Sequence, residues 1–321
     1  MHMALDHFVS QVYLRKFLAP ELGNRMYAMR KLDLATFTPR TRDVCRTEDG
    51  NTNQYLVDER IIEDFLMDVE PRFNESVEMF ADDVPLPEHI YSVAGIISYF
   101  LTCSPAAMRV NSEPIRAMLV EAARAIDQEN EPPQPPEEMG EGHLADLLED
   151  GRVEMRIDPR YPGAIGIANI TGRVSKFGNS KWDILFNGNQ GCEFFTSDYP
   201  VAIQQTHDPR VLARIVPLTP NIAVRIIPDL AQRDAPIDFN FPNFRYRKID
   251  IGAGEARSIN RLLVRCAEDV VFAPDWRDWR PNFVKRNRSY RVDNVTQRLP
   301  IRDGTVIHNR SEIVPHDYRN T

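Results

Sequence analysis

DERIIEDFLMDVEPRFNESVEMF, residues 58–80, decides how the first part of this chain folds. Ile62, Phe65, Leu66, Val69, Phe73, Val77 and Phe80 recur at steps of three and four, which puts them on one stripe of a helix that Pro71 should kink or divide. The next stretch, PEHIYSVAGIISYFLTC over residues 87–103, repeats the pattern through Ile90, Val93, Ala94, Ile97 and Leu101. Ser112 then reads as the N-cap of a further helix over residues 113–126. RMYAMRKL, residues 25–32, is the exception: it alternates as a strand does, directly after a Gly23-Asn24 turn.

Downstream the periodicity changes. Short β-rich runs at 182–186, 192–196, 214–218 and 222–227 are bounded by Gly, Asn or Pro. Residues 143–149 read as a short helix, with Leu144, Leu147 and Leu148 on one face and Gly151 after its end. Helical spacing returns over 253–266 through Ile259, Leu262, Leu263 and Cys266, and a strand-like VVFA begins at Val270. The expected class is α+β, a mainly helical N-terminal layer packed on a small mixed or antiparallel sheet. Four parts follow: helical residues 1–126, an acidic proline-rich loop at 127–142, a mixed α/β part at 143–273, and a basic aromatic arm at 274–321.

Composition sets the outer bounds. A chain of 321 residues with 42% hydrophobic and 27% charged residues can bury a substantial core. Its longest apolar run, VAGIISYFLTC, is about half of the ~20 residues that span a bilayer, so no membrane helix is expected. The first residues lack the basic-then-apolar order of a signal peptide. Cys45, Cys103, Cys192 and Cys266 are scattered without zinc or C-x-x-C spacing, which favours buried thiols in a reducing cytoplasm. The net charge of −8 misleads about partners, because residues 127–150 hold nine acids and no Lys or Arg. The rest of the chain is close to neutral, and residues 274–321 carry ten Lys or Arg against six Asp or Glu.

Several chemistries lose their signature. The chain has no G-x-x-x-x-G-K-[ST] loop, no H-E-x-x-H helix, no G-x-S-x-G elbow and no G-x-G-x-x-G turn. What remains is local. His7 precedes a helix expected from Ser10, where free amides and the helix dipole favour anions and a neutral imidazole able to act as a base. Gln11 and Arg15 follow at one-turn steps, along one edge of that helix; the plainer reading makes His7 a cap and the other two surface residues. In Thr196-Ser197-Asp198-Tyr199-Pro200, polar residues at a strand end are fixed by a proline, and Asp198 is placed to orient His7 or bind a cation. The plainer alternative is a self-satisfied turn. Glu63 and Glu70, seven apart, share a helix face with the pairing geometry of metal ligands, although a solvated face explains them as well. Finally, DWRDWRPNFVKRNRSYR at 275–291 interleaves Trp276, Trp279, Phe283 and Tyr290 with cations, among them Lys285, Arg286 and Arg288. That mixture suits single-stranded nucleic acid, or an arm whose aromatics anchor to its own core while its arginines meet the acidic loop.

These loci resemble one family. The N-terminal signature of the domain-of-unknown-function 4238 group runs His, two apolar or aromatic residues, Pro, Gln, an apolar pair, Leu, a basic residue, any residue and Phe. Here it reads His7, Phe8, Val9, Ser10, Gln11, Val12, Tyr13, Leu14, Arg15, Lys16 and Phe17, with Ser10 in place of the proline. FFTSDYPVAI around Asp198 and VPLTP around Pro217 follow in the family's order, as does INRLLVRCAEDVVF, where Asn260 is the polar residue. Cys103-Ser104-Pro105 departs from an expected Arg-Thr-Pro step, with only Arg109 nearby. The family carries no assigned activity, so the resemblance indicates where to look. The expectation is a hydrolase acting on a phosphodiester or another anionic substrate, with catalytic His7 and Asp198 and with Gln11, Arg15, Ser197 and Asn260 positioning the substrate. The sequence names no metal and no cofactor. The alternative is a non-enzymatic ligand- or partner-binding regulatory module.

Overall fold

The computed structural model describes residues 5–128, 142–302 and 304–318. Its helices are α1 (Gln11–Leu14), α2 (Ile61–Val69), α3 (Phe73–Asp82), α4 (Pro87–Cys103), α5 (Pro105–Asp127), α6 (Leu144–Glu149), α7 (Arg160–Ala168), α8 (Ile170–Gly178), α9 (Ala253–Cys266) and α10 (Trp279–Asn287). The strands are β1 (Leu5–His7), β2 (Tyr27–Arg30), β3 (Thr36–Phe37), β4 (Arg46–Glu48), β5 (Lys181–Phe186), β6 (Thr196–Ser197), β7 (Ala202–Gln205), β8 (Leu212–Pro217), β9 (Ile222–Ile227), β10 (Arg245–Asp250), β11 (Val270–Ala273), β12 (Tyr290–Ile301) and β13 (Gly304–Pro315). The fold is α+β, as the periodicity implies.

The strands form two main sheets. One is mixed, in the order β10-β5-β9-β8-β7, with β10 and β5 parallel and the other neighbours antiparallel. The other is antiparallel, in the order β3-β2-β11-β6. The β1–β4 pair and the long β12–β13 hairpin stand apart. Of the acidic loop expected at 127–142, residues 129–141 lie outside the described residues.

Helix α4 is the axis of the helical layer, with α2, α3, α5, α7 and α8 packed around it. It starts at Pro87 and stops where Ser104 turns extended before Pro105, since a residue preceding proline avoids the helical region. Ser104 then caps α5, its Oγ accepting from the Ala107 amide at 3.1 Å. The expected start of a helix at Ser112 is therefore corrected: α5 runs unbroken from Pro105, and Ser112 Oγ donates back to the Met108 carbonyl. Pro114 removes one ladder bond, yet the helix persists because Ala106, Ala107, Val110, Ala117, Val120 and Ala123 bury one face.

A single apolar cluster runs through residues on both sides of 127–142, from Tyr13 and Phe100 to Trp182 and Ile215, so the stretches share one core. Phe80 of α3 stacks on Trp182 of β5, with centroids 5.3 Å apart and planes 12° apart, which joins the helical layer to the mixed sheet. Burying a side chain of this size contributes about 1.5–3 kcal/mol. Glycine keeps the helical layer close-packed: a Cβ on Gly166 of α7 would lie 2.9 Å from Thr102 of α4. No single helix among the described residues is long and apolar enough to cross a membrane.

A second expectation needs correction, the strand at 192–196. Only Thr196 and Ser197 pair with β11. The Phe194 amide donates instead to the Pro220 carbonyl, and the Phe195 amide to Asn260 Oδ1. The amides a ladder would need are already engaged.

Candidate functional site: a cationic cavity between the helical layer and the mixed sheet

A cavity of about 580 Å³ opens where α4, α5 and α8 meet the edge of the mixed sheet. Its cations come from separate elements: Arg173 and Lys176 from α8, Arg214 from β8, and Arg233 from the loop after β9. Asp229 is the one acid in the lining, and its carboxylate accepts from the Ala231 amide.

The inner arginines are under-used. Arg173 Nη1 donates to Thr102 Oγ1 at 2.6 Å and to the Ser98 carbonyl at 3.4 Å. Arg214 donates from Nη1 to the Leu212 carbonyl at 3.1 Å. Neither forms an ion pair with a carboxylate among the described residues. Burial lowers both guanidinium pKa values, and Arg214 adds repulsion at Arg173. Their free N–H groups are not sealed inside protein; they open on the cavity.

Tyr199 completes the group. Its side chain is buried, yet its hydroxyl makes no hydrogen bond among the described residues. Burial pushes the phenol up to about 12, against the pull of Arg214 and Arg173, so at neutral pH it is a protonated donor. Three groups with donors to spare, from α8, β8 and the segment after β6, thus face one space, lined elsewhere by Leu101, Val110 and Phe177. Donors arranged in this way can hydrogen-bond to an anion.

The residues singled out from sequence fall mostly elsewhere. Asp198 is engaged by its own backbone: Oδ1 accepts from the Glu268 amide at 2.9 Å, and Oδ2 from Asp269 and Val270 at 2.7 and 3.0 Å. This clamps the turn between α9 and β11. Burial raises its pKa, opposed by those amides, and the nearby Lys31 shares the buried environment. No hydrogen bond joins Asp198 to His7. Ser197 Oγ accepts from the Tyr199 amide at 3.2 Å, and Asn260 holds Phe195 and the Glu193 carbonyl. Ser197 therefore holds the Tyr199 backbone, while Asp198 is taken up by the turn before β11.

His7 ends β1 opposite Arg46, with its carbonyl accepting from the Tyr99 hydroxyl. It does not stand at the start of a full helix, because α1 is one turn long and Ser10 makes no capping bond. The ring is half-buried, and Nε2 is sealed without a partner. Burial lowers its pKa, helped by Arg46 and opposed by the carbonyls of Arg42 and Thr41. Gln11 Oε1 accepts from Thr41 Oγ1 at 3.5 Å, and Arg15 is exposed. Glu63 pairs with Arg60, and no cluster able to hold a metal ion exists among the described residues.

The basic arm folds onto the body. Trp279 packs edge-on against Phe195 and Phe283, while Trp276, 41% exposed, leans on Tyr27. Arg280 is buried between Asp275 and Glu193, and Arg288 donates to the carbonyls of Lys31 and Leu32. Lys285 and Arg286 remain exposed on α10. Further along the arm, Arg298 of β12 meets Glu121 and Glu149. Two anchors tie this region to the core: Lys31 Nζ donates to the carbonyls of Ala267 and Tyr290, and Arg109 pairs with Glu268 and Asp293 while donating to the Val292 carbonyl.

The family model described as Protein of unknown function (DUF4238) matches residues 6–275, most of the chain. The chain belongs to that family. No curated protein and no solved structure matches it. Within the family's span, the cavity residues went unread for identifiable reasons. Tyr199 sits inside the Thr196–Pro200 motif but follows two more conspicuous polar residues, Ser197 and Asp198. Arg214 left a usable signal, a lone cation inside an apolar strand.

Proposed function

We propose that this protein is a ligand-binding module that takes a small anionic molecule into the cavity between α8 and the mixed sheet. One observation carries the reading: Arg173, Arg214 and the Tyr199 hydroxyl face that space with donors unspent and no carboxylate partner. Leaving a partly buried cation without a counter-charge is costly, and an arrangement that keeps two in one cavity favours an anion as the missing partner. Hydrolysis draws less support. It needs a base beside the substrate, and the cavity lining offers no imidazole and one carboxylate already engaged by an amide. A nucleic-acid partner at Lys285, Arg286 and Arg288 also draws less, because Trp279 and Phe283 pack on Phe195 and Arg288 is held by backbone carbonyls. Four buried free thiols fit a reducing compartment such as the cytoplasm.

Calorimetric titration of the full chain with phenyl phosphate and with phthalate tests the proposal. At least one dianion should bind, and Arg173→Gln and Arg214→Gln should each weaken it by tenfold or more. Binding of neither, or binding indifferent to both substitutions, would overturn it.

A further inference from the structure

We propose that the ligand is a phosphomonoester, its phosphoryl group shared by Arg173, Arg214 and the Tyr199 hydroxyl and its uncharged body lying along Leu101, Val110 and Phe177. This rests on the anion-binding reading above and narrows it to one chemical class.

Charge comes first. Arg173 and Arg214 repel each other in a desolvated setting, so a single negative charge would offset one and leave the other exposed to the same penalty. A phosphate monoester carries about −1.5 to −2 at pH 7. Lys176 and Arg233 add two more cations at the same cavity, against the one engaged carboxylate of Asp229.

Donor number and type agree. A phosphoryl group presents three acceptor oxygens in a pyramid, and three separate donor groups converge here from α8, β8 and the segment after β6. A planar carboxylate presents two oxygens and is met well by one guanidinium fork, which makes a second fork and a phenol redundant. The phenol is suited to a phosphoryl oxygen because it keeps its proton at neutral pH. Volume decides between free ion and ester. About 580 Å³ falls among sites for small organic ligands, roughly 300–1,000 Å³, and inorganic phosphate would leave the apolar lining unused.

The test compares phenyl phosphate, inorganic phosphate and phthalate by calorimetry on the full chain. Phenyl phosphate should bind at least tenfold more tightly than either of the others. Its affinity should fall about tenfold per pH unit below about pH 6, where the second phosphate proton returns, while phthalate affinity stays level down to about pH 5.5. Tyr199→Phe should weaken phenyl phosphate about tenfold. Phthalate binding as tightly as phenyl phosphate through Arg214 would sink the phosphomonoester assignment and leave the anion site standing; binding of no probe through Arg173 or Arg214 would sink both. The pH profile needs only the wild-type protein, so it decides even where a substituted chain folds poorly.

Discussion

Replacing Arg214 with methionine should make the unliganded protein more stable. Methionine retains most of the arginine stem, so the packing against β7 and β9 is largely conserved and the charge alone is removed. Two effects compete. The Leu212 carbonyl loses its 3.1 Å donor, which costs about 1 kcal/mol, moderated because that carbonyl faces a cavity able to admit water. Against this, a desolvated cation without a carboxylate disappears, together with its repulsion of Arg173. Full burial of an unpaired ion costs several kcal/mol; because Arg214 borders an open cavity, a discounted relief of about 2 kcal/mol is appropriate. The net gain is about 1 kcal/mol, or roughly 2 °C in Tm for a chain of this size. Calorimetric melting in a buffer free of phosphate, repeated with phenyl phosphate added, reads both halves of the argument. At a concentration of about 100 Kd the wild type should gain about 2.7 kcal/mol, and Arg214→Met little or none. A drop of several degrees in the unliganded variant would refute the reasoning, because it would make Arg214 a structural residue whose pairing holds the sheet edge.

Three further outcomes follow from the geometry. The native His7 imidazole binds its proton less readily than in the unfolded chain, whose pKa is about 6.5, so its contribution to stability falls as pH drops below about 6.5; urea midpoints between pH 5 and 7.5 should show the wild type losing stability relative to His7→Gln, a comparison that cancels the Asp198 and His316 titrations in the same window. Asp198→Ala strands three amides in the turn before β11 and should cost about 3 kcal/mol in chemical denaturation while phenyl phosphate affinity of the folded protein changes less than threefold; a large loss of affinity without loss of stability would argue for a direct role. Gly178→Ala places a methyl 2.1 Å from the Phe241 ring, so the ring must move, and melting should show a loss of about 1–3 kcal/mol.

Periodic burial made much of this fold legible. The stripe at 58–80 became α2 and α3 with the break at Pro71, and 87–103, 222–227 and 253–266 coincide with α4, β9 and α9; α2, α3 and α9 each bury one regular face, whereas α4 is apolar enough to be buried on nearly every side. Helices α7 and α8 gave no such signal. Pro162, Gly163, Gly166, Gly172 and Gly178 lie in them, residues of low helix propensity that tertiary packing overrides: Gly166 fits against Thr102, and Gly178 against Phe241. Missing α8 also hid Arg173. Within Thr196–Pro200 the sequence draws notice to Asp198, whereas the side chain that lines the cavity is Tyr199. Asp198 is the residue whose chemistry draws notice, but a carboxylate surrounded by backbone amides is consumed in holding a turn. A carboxylate's partners are set by the chain that folds around it, and here those partners lie some seventy residues away.

The anchors at Lys31 and Arg109 bear on where this protein can be cut. The family match ends at residue 275, yet the Lys31 ammonium rests partly on the Tyr290 carbonyl, Arg109 on Asp293 and the Val292 carbonyl, and Met29 and Phe195 on Val284. A recombinant fragment trimmed to the shared segment would carry a solvent-facing greasy seam beside two cations, each stripped of part of its acceptor set. The inherited unit and the foldable unit thus have different edges, and shuffling, tagging or fusing this family by its common boundary would sever the chain inside a packed interior.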